Sequence, residues 1–161
     1  MVNEKARLRR YEDDLYVSGI GSIIMGVWAV VKIIMEIFLG SADIIHLEAE
    51  DQTEKVIGII ISIVVVAALS YFVLRVHFYI GLNAMRAAQG KEYKKGYLTV
   101  TIVMMIIYIL GMYSYKTLFT SPDSTDTTIA TVLVDLTTIY IFVIVIRSAN
   151  LIKKIKENMR E

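Results

Sequence analysis

Residues 56–80 read VIGIIISIVVVAALSYFVLRVHFYI, and Arg75 is their one permanent charge. The hydrocarbon core of a bilayer is about 30 Å thick, so a helix rising about 1.5 Å per residue crosses it in roughly 20 apolar residues. The stretch lacks the two-residue alternation of a barrel strand, and outside a closed barrel only a helix satisfies its own backbone in lipid. It is expected to be a transmembrane helix.

Three more runs share this character, at about 17–39, 97–119 and 128–146. The expected fold is an all-α integral membrane protein with four transmembrane helices in an up-down antiparallel bundle, a single transmembrane domain over 1–161. Composition agrees. The chain is 56% hydrophobic with a mean hydropathy of +0.59, against about 45–50% apolar in soluble domains. Its charges lie in blocks between the apolar runs, which excludes a disordered chain, a coiled coil and a nucleic-acid-binding domain. The absence of cysteine excludes disulfides, thiol catalysis and Cys-ligated metal. The first run is too long for a signal-peptide core, contains Lys32 and Glu36, and has no small-x-small cleavage site, so it reads as a retained span.

Orientation follows from Lys and Arg in short loops. Fourteen of these residues lie in the N-terminal tail, the segment between spans two and three, and the C-terminal tail, against Lys55 and Lys116 on the other side. Both termini, with tails 1–14 and 148–161, are therefore expected to be cytoplasmic in a cell-membrane protein. Residues 1–14 could form a short interfacial helix. The second span is expected to continue as helix to Gln89 and to stop at Gly90. Arg75, Arg86, Lys94, Lys95, Arg147 and Lys153 would meet anionic headgroups at about 1 kcal/mol each, Arg75 by snorkelling.

Helices in lipid meet through small and polar residues. On span one Ser18, Ser22 and Ala29 share a sector with Glu36, flanked by Gly26 and Lys32. Span two carries Ala67, Ser70, Leu74, His77, Gly81, Ala84 and Ala88 at alternating three- and four-residue spacing. Thr101, Met104, Tyr108, Gly111 and Tyr115 repeat that spacing on span three. The helix-packing set is thus Ser18, Ser22, Gly26, Ala29 and Gly111. Packing is the plain reading of these stripes, and a water-filled path is the alternative.

Ionisable residues at membrane depth usually face inward and pair. Lys32 and Asp135 lie about 12 and 11 Å below the outer edge of neighbouring spans, from the helical rise, and Glu36 is one turn above Lys32. This cluster is either a pair that fixes helix order or a site for a cation or proton. Tyr108, in mid-span, needs a hydrogen-bond partner. His77, counted from the outer end of its span, falls near the inner interface as a hydrogen-bonded residue. His46 sits in an acidic loop without ligand spacing, so no metal or cofactor is expected. No nucleophile elbow, HExxH, P-loop or glycine-rich dinucleotide turn is present, and no enzymatic activity is expected.

Two functions fit. One is a small interaction or regulatory subunit, or homo-oligomer, whose partners are the lipid bilayer, a second copy or another membrane protein. The other is a cation- or proton-coupled transporter or channel built on Lys32, Glu36 and Asp135.

Overall fold

A computed structural model of the chain describes residues 2–44, 52–118 and 125–159; within these, side chains 2–3, 36–44, 55, 114–118, 125–128 and 130 lie outside the description. Four helices follow one another: α1 (Val2–Ile44), α2 (Gln52–Ala88), α3 (Tyr97–Leu118) and α4 (Thr125–Asn158). No strand occurs among the described residues.

Three of the four are long and apolar enough to cross a membrane: α1 over Glu4–Met35, α2 over its whole length and α4 over Thr131–Asn158. The described apolar part of α3, Tyr97–Tyr113, is shorter. The expected spans thus correspond to four helices, of which three meet the full length among the described residues. The elements also run further than the expected spans. Residues 2–16 are the continuous start of α1, not a separate interfacial helix, and α4 carries the chain unbroken past Arg147 to Asn158. The physical reason is local. Neither junction contains the proline or glycine that would break a helix.

The α2 stop lies where glycine was expected to place it. Gly90 has φ +68°, a left-handed conformation that glycine adopts without a Cβ penalty. The amide of Lys91 donates to Arg86 O at 2.9 Å and that of Gly90 to Ala87 O at 3.2 Å, the paired bonds of a Schellman cap. Asn83 then anchors the connection, since its Oδ1 accepts the Lys94 amide at 2.8 Å.

The N-terminal part of α1, the α2–α3 connection and the C-terminal part of α4 share one end of the bundle, rich in Lys and Arg. There Leu15, Ala84, Ala88, Tyr97, Val145 and Ile152 form a core to which every helix contributes. One layer further in, Ile80, Met104 and Phe142 make a second cluster. Glu12 and Lys156 join α1 to α4 across this end at 2.9 Å. Beyond these layers α2 keeps only a half-buried stripe that includes Gly58, Ser62, Val66, Ser70 and Val73, and no described residue of α2 before His77 is fully buried.

Candidate functional site

The interior of the bundle is organised by contact between α1 and α2. A Cβ added at Gly19 would stand 2.9 Å from the Gly81 carbonyl oxygen, and one at Gly81 would run into the Gly19 carbonyl oxygen. Two backbones this close leave no room for side chains between them, which is the use of small residues at a membrane helix interface. One turn along, a Cβ at Gly26 would collide with His77.

His77 is fully buried and touches all four helices. Its Nδ1 lies 2.9 Å from the Ser22 carbonyl oxygen, which can only accept, so Nδ1 carries the proton and donates. In the neutral ring Nε2 then accepts from the Tyr108 hydroxyl of α3 at 3.1 Å. The Ser22 hydroxyl donates to the His77 carbonyl at 3.3 Å, making the α1–α2 link reciprocal. Phe142 of α4 closes the ring contacts, 5.4 Å from His77 and 5.9 Å from Tyr108 between centroids.

The glycines explain how helical carbonyls accept a second donor. Gly26 follows Ser22 by four residues, and Gly81 follows His77 by four. In a helix the Cβ at position i+4 leans back over the carbonyl of residue i. With hydrogen in its place, both carbonyls are open from the side.

The second polar feature lies towards the other end. Lys32 Nζ stands 3.0 Å from Asp135 Oδ2 and 3.3 Å from Oδ1. Its side chain is 19% exposed and that of Asp135 is 6% exposed, so the aspartate is buried and the ammonium is partly accessible. The bond ties α1 to α4. The Glu36 side chain lies outside the described residues.

The remaining expected positions separate clearly. Ser18, Ser22, Gly26 and Ala29 are all buried on α1, and the α2 stripe is buried from His77 through Gly81 and Ala84 to Ala88. Gly111 differs: a Cβ there would meet nothing within 4 Å, so this position faces open space among the described side chains, while Met112 beside it is half-buried. Arg75, Arg86 and Lys94 line one groove along α2. Lys95, Arg147 and Lys153 are exposed elsewhere, and Lys153 faces Glu157 at 3.9 Å. Among the described residues no group of His, Asp or Glu could hold a metal ion.

His77 is the residue the sequence undervalued. It was expected near the inner interface as a hydrogen-bonded residue on a helix that runs on to Gln89; it is instead fully buried among all four helices, at the level of Tyr108 and Phe142. The available signal was its place on the small-residue stripe. Gly19 was also overlooked, although it lies three residues before Ser22 and seven before Gly26 on the same side of α1. Set beside known protein families, curated proteins and solved structures, the chain matches none of them.

Proposed function

We propose that this chain is a four-span cell-membrane protein, both termini cytoplasmic, that works by contact as an interaction or regulatory subunit or as a homo-oligomer. The observation that carries this reading is the largely exposed apolar first half of α2. In the most apolar 18-residue window of that helix, 0% of residues are buried, against 22% in α1 and 28% in α4. The polar groups of the interior support it as well. His77, Ser22 and Tyr108 satisfy one another, and Lys32 is held by Asp135, so these groups hold helices together.

Single cysteines test the reading, because the native chain has none. Placed in turn from Val64 to Phe72 and oxidised in native membranes, they should cross-link on one face of α2, with helical periodicity. The transporter reading rests on the partial exposure of Lys32 beside buried Asp135. Absence of cross-links at every position, together with an ion flux in proteoliposomes that Asp135→Asn abolishes, would replace the first reading by the second.

A further inference from the structure

Beside the connection that follows Gly90, an open groove of about 760 Å³ runs along α2, with Lys94 of the connection and Val100 of α3 at its edge. These two helices are joined by a short connection yet pack far less than α1 and α2. The volume lies within the range of about 300–1,000 Å³ usual for small-molecule sites. Its lining is amphipathic in an ordered way. Arg86 and Lys94 stand near the connection, and Phe72 and Tyr71 stand away from it. Tyr79 forms the wall between the helices, its hydroxyl 3.4 Å from where a Cβ of Gly96 would be. Arg75 enters about 16 Å along α2 from Arg86, 11 residues at the helical rise. No lining residue is acidic.

The groove is also a built feature. Asn83 donates through Nδ2 to Tyr79 O at 2.7 Å and accepts the Lys94 amide at 2.8 Å. One buried side chain thus fixes the turn that carries Lys94 against the helix that carries Arg86. Cations at the end of an aromatic and aliphatic trough match a molecule that is anionic at one end and apolar along the rest.

The geometry points to a site for one anionic phospholipid: its phosphate lies between Arg86 and Lys94, and its acyl chains lie along Tyr79 and Phe72 towards Arg75. This rests on the membrane placement proposed above. The test reads lipid selectivity instead of insertion, so a chain that inserts but shows no preference fails here alone. Full-length protein is reconstituted in vesicles of equal phosphatidylcholine and phosphatidylglycerol, extracted in mild detergent, and weighed with its retained lipid by native mass spectrometry. The unaltered protein should keep phosphatidylglycerol over phosphatidylcholine. Arg86→Gln and Lys94→Gln should each cut retention about fivefold, the factor for about 1 kcal/mol per cation. Phe72→Ala should cut it without any change of charge. Lys154→Gln, an exposed lysine outside the groove, should leave it intact.

Equal retention of both lipids by the unaltered protein overturns the site without reference to any variant. An equal loss in the Lys154 control assigns the preference to diffuse surface charge and also overturns it. Displacement of the lipid by millimolar glycerol phosphate would make the occupant a soluble phosphate, which excludes the acyl-chain trough.

Discussion

A missing methyl group decides much of this structure, and single substitutions can measure it. At Gly26 a Cβ would overlap His77, so Gly26→Ala must push α1 and α2 apart. Overpacking of this kind costs about 1–3 kcal/mol, and thermal unfolding in detergent should show it. Gly111→Ala provides the contrast. With open space around it, the alanine should gain up to about 1 kcal/mol of helix propensity. If both variants unfold at the parental temperature, the close approach at Gly26 is wrong. Tyr108→Phe removes the donor to His77 Nε2 and should cost about 0.6 kcal/mol, the mean for hydrogen bonds between membrane helices. Ser70 runs the other way. Its Oγ is buried with no partner among the described residues, so Ser70→Ala should be neutral or stabilising because an unsatisfied hydroxyl disappears. A loss above about 1 kcal/mol would mean that the hydroxyl has a partner after all.

Between elements, the Lys32–Asp135 bond is the more deeply buried fastening, joining residues 103 apart in the chain. Lys32→Met or Asp135→Asn alone leaves a buried charge or dipole without its complement and should destabilise by about 3–5 kcal/mol at most. The double variant should recover much of that, and unfolding curves of the three proteins give the coupling directly. Glu36→Gln belongs in the same cycle, since it lies one turn from Lys32. Single variants as stable as the parent would dissolve the pair as a fastening. This juxtaposition was legible in the sequence because both residues interrupt apolar runs at matching depth, and depth follows from the helical rise alone. The His77 hub was not. Its level depends on where α2 ends and α3 begins, a property of the hairpin that counting from the outer end of a span misplaces. The Gly90 stop was readable in advance because it is local. The open face at Gly111 was not, because a stripe of small residues does not say how far along its length the neighbour stays.

For the molecule as a whole, the four-span topology makes a prediction that labelling can check. Cysteines introduced at Lys91 and near either terminus should react only from the cytoplasmic side, and those near Glu50 and Ser124 only from outside. Labelling of a Lys94→Cys protein from outside would overturn the proposed topology. The helix lengths carry a further implication. Over its 43 residues, α1 extends about 64 Å, roughly twice the thickness of a bilayer core, and it holds α4 at two points: Glu12 to Lys156 at one end, Lys32 to Asp135 towards the other. Ion pairs this far apart fix the register of α4 against α1, so a slide of one rod along the other must break both. Because α2 lies along α1 in the most extensive helix contact and α3 rests more on α4 than on α2, the α2–α3 hairpin is carried on both sides by that frame.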